Sequence, residues 1–537
     1  MRAVMRATTE GAVLAILRRR RFPSEGLLAA AAGGVGLLGI ASALTPSLPS
    51  RSDFVQGVLP PGVVHGARLL ALVFGVALVV VSRSLARRRR RAWYLAVALV
   101  VLTVAAHLVE GVDAEEIGAA VILCSALVVY RRRFDVPGDP AALQPLLAAG
   151  GALAASGAFL GLYELHRVRP PEDVEDVVTA IAILLAFWAL HLWLRPWTER
   201  VHQSLDERRL ARKLVRAHGR DSLAFFALRR DKTYFFSPGR SAFLAYRVVA
   251  GTALVSGDPV GEAEEHEPLV RAFLHYAHAR GWRPAIVSAS ADLLPLYRSL
   301  GLRAVKLGEE AIVQPREFSL EGRGIRKVRQ SVNRIRRAGY RAVVRRAAEL
   351  LPSERRQLEE VSREWLGRWP ERGFSMAMDG LFAEPDLVFV IAQRPAGQID
   401  GFLELAPCPA GDMYSLSAMR RRRPSPNGLM EFLIAEGLAW AAGEGASEVS
   451  LNFCVFADIL RPRASPSRGR RVLRFALLRL DGVFQLDRLL AFNRKFSPEW
   501  RPRFVCFERL LDAPVVGLAF MRAETLLVPP GPWTSRR

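Results

Sequence analysis

Cysteine is scarce in this chain. There are four, Cys124, Cys408, Cys454 and Cys506, with no CxxC pair. That excludes a disulfide framework and a zinc–thiolate site and fits reduced thiols in a cytosolic domain. Histidine runs out early: all nine lie at or before His278. On sequence order, chemistry housed in the last half therefore has no Ser–His or Cys–His pair to use. His275 and His278 share a helix face in "HYAH" without a third ligand, which makes them surface or packing residues and predicts no metal site. No P-loop glycine pattern occurs, so nucleotide hydrolysis is not indicated. Negative charge is in deficit too, with 52 Asp and Glu against 75 Lys and Arg, a formal charge of +23. Hydrophobic residues make up 51%. Together these predict a membrane segment joined to a basic domain whose partners carry phosphate.

At 537 residues the chain is too long for one ordinary domain. Six apolar stretches of about spanning length lie at roughly 26–45, 62–82, 93–110, 116–130, 142–164 and 177–194. Residues 1–25 are too basic and too weakly apolar for a cleaved signal peptide. Arginine runs at 18–21, 87–91 and 131–133 alternate with base-poor loops. The positive-inside rule then puts every strongly basic loop, and the chain after Leu194, in the cytoplasm. This predicts a multi-pass plasma-membrane protein with a cytoplasmic C-terminal part. No Asp or Glu sits in mid-span, so anchoring is favoured over transport.

From about Leu205 the pattern changes to short apolar runs alternating with amphipathic helices. "AFFAL", "TYFFS", "AFLAYRVVAGTALVSGDPVG" and "PAIVSAS" read as strands, and "HEPLVRAFLHYAHARG" as a helix closed by Gly281. A second round follows: a helix at "SERRQLEEVSREWLGRW", a hairpin turning near Gly397, a strand at "DMYSLSAM", a helix at "GLMEFLIAEGLAWAAGEG" and a strand at "EVSLNFCVF". The repeat of order predicts two similar α/β halves, 196–345 and 346–537, divided by the basic segment 322–346. The second round has the order of a GNAT acyltransferase. There the loop entering the central helix holds phosphate with backbone N–H groups and the helix dipole.

Seven blocks occur in series: "FFSPGRSAFLAYRV", "SGDPVG", "LGEEAIV", "FSLEGRGIRKVRQSVNRIRRAGY", "MRRRRPSPNGLMEFL", "VSLNF" and "NRKFSPEWRPRF". Over roughly residues 205–510 this resembles the synthase domain of the lysylphosphatidylglycerol synthases, the multiple peptide resistance factor family. The resemblance implies tandem GNAT-like folds behind a polytopic membrane region. It also implies transfer of an aminoacyl group, lysyl or similar, from aminoacyl-tRNA to phosphatidylglycerol, which links the family to antimicrobial peptide resistance. Aminoacyl-tRNA would be a co-substrate and no further cofactor would be needed. The chain departs from the family at Ser417, where an Asp is usual, and has fewer spans than the members that flip lipid.

Such an ester exchange needs an oriented pair of anions, a proton shuttle and a stabilised oxyanion. Glu431 is the leading carboxylate, either as an acid buried in an apolar helix with a raised pKa or as a contact for the donor's amino group. Ordinary first-turn dipole stabilisation is the alternative. Arg420 is the leading anion or oxyanion contact, and Arg421 to Arg423 read as solvated charge around it. Lys495 is a second cation in the catalytic set. Asn427 and Gly428 form the phosphate-holding loop, and Ser417, Arg503 and Trp500 complete the substrate-binding set. Trp500 has core packing as its alternative to base stacking. Asp258 belongs to this set as a ligand, although a turn residue is the favoured reading. Arg326, Arg329, Asn333, Arg336 and Arg337 lie on one helix face, suited to an RNA backbone or an anionic membrane. Two other readings stand beside this one: a Fem-type transferase acting on a peptidoglycan precursor, and a non-catalytic protein that binds anionic lipid or RNA.

Overall fold

The computed structural model describes residues 24–44, 61–110, 114–139, 142–165, 172–194, 197, 199, 201–455 and 486–527. The basic N-terminus up to residue 23 and the predicted loops at 45–60 and 166–171 lie outside these. Two compact units emerge: Met1–Trp197 with Ala279–Gly281, and Thr198–His278 with Trp282–Arg537.

The first unit is helical: α1 Ser24–Leu44, α2 Pro61–Leu85, α3 Arg90–Glu110, α4 Ala114–Val129, α5 Leu143–Leu165 and α6 Glu172–Trp193. These six coincide with the six predicted apolar stretches. Among the described residues one of them, over Glu25–Ser42, is long and apolar enough by composition to cross a membrane. Small residues set its contact with α2. A Cβ on Gly36 would stand 2.7 Å from the Gly75 carbonyl oxygen, and one on Gly75 would stand 2.8 Å from that of Gly36. Glycine at both positions is what lets the two backbones approach this closely.

The second unit is built on one sheet. Its elements run α7 Leu205–His218, β1 Thr233–Phe236, β2 Ala242–Val249, β3 Thr252–Ser256, β4 Val260–Gly261, α8 His266–Ala279, β5 Arg283–Ala289, α9 Leu294–Ser299 and β6 Arg303–Val313. Then come α10 Arg326–Arg337, β7 Arg341–Arg346, α11 Pro352–Leu366, β8 Val388–Gln393, β9 Ile399–Cys408, β10 Met413–Arg421, α12 Leu429–Gly443 and β11 Glu448–Val455. The chain closes with α13 Leu486–Asn493, β12 Glu499–Phe507 and α14 Ala513–Ala523. "AFFAL", expected as a strand, is instead a buried 3₁₀ turn, Ala224–Leu228. A short apolar run carries no period by which strand and helix can be told apart.

Strand order is β1-β2-β3-β5-β12-β6-β11-β10-β9-β8-β7, with β4 on β2. Two neighbouring pairs are parallel, β3 with β5 and β10 with β11. Each is joined through a helix, α8 or α12, so the two rounds share one strand–loop–helix–strand unit. The halves are not separate sheets. β12, from the C-terminal end, lies antiparallel between β5 and β6, and β6 in turn pairs with β11. The sheet thus runs straight across the predicted 345/346 boundary.

α12 is apolar nearly all round because it is buried nearly all round, with Leu429, Met430, Phe432, Leu433, Ile434 and Leu438 in the core. α10 is its opposite, amphipathic and basic. Val328, Val332 and Ile335 face the core at a helical spacing, while the arginines look away. α10 lies so close to the start of α12 that Gly428 is obligatory. Its φ is +96°, and a Cβ there would meet the Ser331 Cβ at 2.7 Å. We expect Gly428→Ala to lower stability by about 2 kcal/mol or more, the left-handed backbone alone costing roughly 1–2 kcal/mol. Asn427→Ala keeps the carbonyl that the loop uses and is expected to melt with the parent. Thermal unfolding of the two variants checks this.

Candidate functional site

The loop before α12 does not stand open. Arg334 of α10 donates to the Asn427 carbonyl at 2.6 Å through Nη2. Arg336 pairs with Glu436 at 2.7 Å, which fits Glu436 to a structural role. The arginine run is also less free than a solvated face. Arg422 donates to the Ile399 carbonyl at 3.0 Å and pairs with Glu360 and Glu364 of α11. Arg421 reaches Ser425, and Arg423 is exposed. Arg420 is 5% exposed and bonds Ser362 and Glu371. Of the three arginines expected as solvated charge, Arg423 is solvated, Arg421 bonds its own loop, and Arg422 is held by α11 carboxylates that sequence order does not announce.

Glu431, one turn into α12, meets Lys495 at 2.8 Å. Two residues 64 positions apart, both in the proposed catalytic set, are thus in contact. Lys495 also lies 5.0 Å from the centroid of the Phe492 ring. Phe496 is buried, and Trp500 packs half-buried on the same core, so its surroundings are those of a packing residue.

Ser417 stands in a buried polar pair. Its hydroxyl donates to Glu404 Oε2 at 2.7 Å and accepts from the Met378 N–H at 3.1 Å. Glu404 Oε1 makes no hydrogen bond. Burial pushes Glu404 up to about 7, against the pull of Ser417 and the charge of Arg420. Sequence reading missed Glu404. Its place opposite Ala418 in the β9–β10 ladder is a matter of pairing, which no local pattern reveals.

A separate polar cavity of about 730 Å³ gathers residues from both halves, among them Ser256, Asp258, His218, His266, Ser447 and Arg503. At its wall Arg503 donates to Glu310 at 2.8 Å, to Asp221 at 2.7 Å and to the Ser222 hydroxyl at 2.8 Å. Ser222 and Ser450 each donate to Glu310 Oε1 at 2.5 Å. Burial would raise Glu310, but Arg503 and the two hydroxyls outweigh it and hold the carboxyl below its usual range. Asp221 is raised, by burial first and then by Asp258 and Glu310, in spite of Arg503. Asp258 stands in the bend between β3 and β4, in keeping with a turn residue. It accepts from the Ser290 N–H at 3.0 Å and the Tyr297 hydroxyl at 2.6 Å, and it lines the cavity. The last half itself has no histidine, as the sequence shows. His218 and His266 of the first half line this cavity together with Ser447 and Arg503 of the second.

Of the basic helix face, Arg326, Asn333 and Arg337 are exposed. Arg329 is tied to the carbonyls of Leu320 and Gly322. Arg337 makes one bond, to the Asn333 carbonyl at 3.3 Å. Among the described residues no group of three or more His, Cys, Asp or Glu is arranged to hold a metal.

The family described as "Phosphatidylglycerol lysyltransferase, C-terminal" matches residues 212–507. The lysylphosphatidylglycerol biosynthesis bifunctional protein LysX of Rhodococcus opacus (strain B4) is 32% identical over 502 residues, 86% of this chain and 45% of that protein. That of Mycobacterium tuberculosis (strain F11) is 38% identical over 324 residues, 59% of this chain and 28% of that protein. The chain thus spans about half the length, or less, of these curated relatives. Among solved structures, L-PGS from Bacillus licheniformis matches with a TM-score of 0.54 at 23% identity, covering 61% of this chain and 98% of that one. The C-terminal domain of an Agrobacterium fabrum protein described as a lysylphosphatidylglycerol synthetase matches at 0.52 and 25%, covering 59% and 95%.

Glu404 makes stability depend on pH. The folded state holds its proton up to about pH 7, whereas the unfolded chain releases it near the ordinary glutamate value of 4.5. Folding is therefore penalised progressively as pH rises from 4.5 to 7, by up to about 3 kcal/mol at 1.36 kcal/mol per unit. Glu404→Gln is expected to melt like the parent near pH 4.5 and above it at pH 8. Calorimetry at the two pH values checks this.

Proposed function

The chain belongs to the phosphatidylglycerol lysyltransferase family, and on that premise we propose that it moves an aminoacyl group from aminoacyl-tRNA to a hydroxyl of phosphatidylglycerol. The lipid product carries an added amine, so the membrane surface becomes more cationic. The observation that carries this reading is the contact of Glu431 with Lys495 at the head of the central α12 helix. It joins a carboxylate and a cation at the point where GNAT-like folds receive an acyl donor.

In this reading Glu431 takes the proton of the lipid hydroxyl as it attacks the ester carbon, and later returns it to the tRNA 3′ oxygen. Lys495 keeps Glu431 oriented and offers its charge to the developing oxyanion. Arg420, fixed by Ser362 and Glu371, holds a phosphate-bearing substrate in register. The exposed Arg326 and Arg337 of α10 follow the tRNA backbone, and binding there weakens with salt. The six helices α1–α6 anchor the synthase unit as a six-span region of the plasma membrane. Their arginine-rich loops lie on the cytoplasmic side, where charged tRNA and the lipid headgroup meet.

Cells that make the protein are expected to accumulate a ninhydrin-positive, more cationic derivative of phosphatidylglycerol. Glu431→Ala and Arg420→Ala, at matched expression, are expected to lower it by about 100-fold or more, within the range of lost acid–base and orientation terms. Thin-layer separation of lipid extracts checks this. Extracts equal to a vector control, or a modified lipid-linked muropeptide in place of the glycerolipid, would contradict the acceptor.

A further inference from the structure

Lys232 is a fully buried lysine, 0% exposed, just ahead of β1. Its ammonium nitrogen stands 2.7 Å from the Phe226 carbonyl and 2.7 Å from Ser256 Oγ, and 4.9 Å from the centroid of the Phe374 ring. Both hydrogen-bonding partners are neutral. Asp231, Asp379 and Glu524 act on it only as more distant charges. A buried lysine kept as a permanent cation ordinarily has a carboxylate in direct contact, because a charge without one is costly to bury. Burial, with Arg229 nearby, instead brings Lys232 down to about 7, so the free amine is well populated at neutral pH. In the structure Nζ donates to Ser256 Oγ, which itself lies 3.5 Å from the Phe374 carbonyl; once Nζ has lost a proton, the same 2.7 Å contact lets Oγ donate to it.

Ser256 ends β3, is 6% exposed and lines the 730 Å³ cavity. A serine at a cavity wall with an amine 2.7 Å from its Oγ has nucleophile and base within the reach that activation needs. The cavity wall defines the ligand class. Six carboxylates line it, Asp221, Asp258, Asp292, Glu310, Glu448 and Glu499, against three guanidiniums, Arg220, Arg501 and Arg503. Arg501 is already engaged by Glu448 and Glu499. Such a wall favours an acyl group that carries an ammonium.

We propose that Ser256 and Lys232 form a nucleophile–base pair that accepts an aminoacyl group from an ester held in the cavity. Ser256 Oγ attacks the ester carbon, the new Oγ–C bond forms, and the hydroxyl proton passes to Lys232 Nζ. The tetrahedral centre collapses, the bond from carbon to the leaving alkoxide breaks, and Lys232 returns the proton to that oxygen. A second alcohol reverses the sequence and frees the serine. The identity of the acyl group rests on the transfer proposed above, to whose direct attack assisted by Glu431 the two-step route through Ser256 is an alternative; the reactivity of the pair rests on neither.

The test uses the full chain in detergent micelles and a fluorophosphonate probe, with peptide mass spectrometry. Serine Oγ forms the bond to phosphorus, fluoride leaves, and the proton goes to Lys232. One adduct is expected, on Ser256, forming faster as pH rises through about 7. It should be absent in Ser256→Ala and at least 10-fold slower in Lys232→Arg, whose guanidinium holds its proton, with melting temperature confirming that both variants are folded. An adduct on another residue, persistence in Ser256→Ala, or no adduct on the folded parent would overturn the proposal. Labelling of Ser256 in a protein that makes no aminoacylated lipid would keep the pair and remove the transfer reading.

Discussion

Arg503 is the residue on which the second unit turns. It lies on β12, the strand that arrives last and enters the sheet between β5 and β6. At 5% exposure it bonds Glu310 of β6, Asp221 and Ser222 of the segment after α7, and the Ser288 carbonyl of β5. One planar guanidinium thereby ties the inserted strand to both its neighbours and to a loop. Losing one partner of a buried pair costs about 3–5 kcal/mol, against a total stability of roughly 5–15 kcal/mol for a domain. The same network supplies Asp221, Glu310 and Arg503 to the cavity's wall.

Charge is divided between the two equivalent strand–loop–helix units. The loop after β3 leads to Asp258 and a wall rich in carboxylate, which suits an amine. The loop after β10 is surrounded by arginine, which suits phosphate, although much of that arginine is held by α11 and by Glu371. A reaction that brings an ammonium-bearing acyl group to a phosphate-bearing lipid has use for both kinds of surface.

Much of this was legible in the residues. The six apolar stretches, the hairpin at β8–β9, the helix of α12 and the basic amphipathic helix α10 follow from periodicity and turn residues. The pairing of Glu431 with Lys495 joins two residues named from separate motifs. What escaped reading was long-range. Nothing local tells Glu404 that it faces Ser417, or β12 that it belongs beside β5. The early end of histidine leaves the second half without imidazole, and His218 and His266 line the same cavity as Arg503 only because the fold brings the two halves together. Arg422 looked solvated because its acidic partners, Glu360 and Glu364, lie on a helix about 60 residues away. "AFFAL" lacked a period and took the local form its core contacts demanded.

The central claim is that the acyl group comes from charged tRNA and ends on phosphatidylglycerol. The direct measurement uses the purified full chain, phosphatidylglycerol vesicles and tRNA charged with a radiolabelled amino acid, followed by phase extraction. The account predicts label in the organic phase at a rate set by the protein, abolished by ribonuclease treatment of the donor and strongly reduced in Glu431→Gln. Label that stays with the tRNA in the aqueous phase, or that reaches lipid equally from the free amino acid, would contradict it.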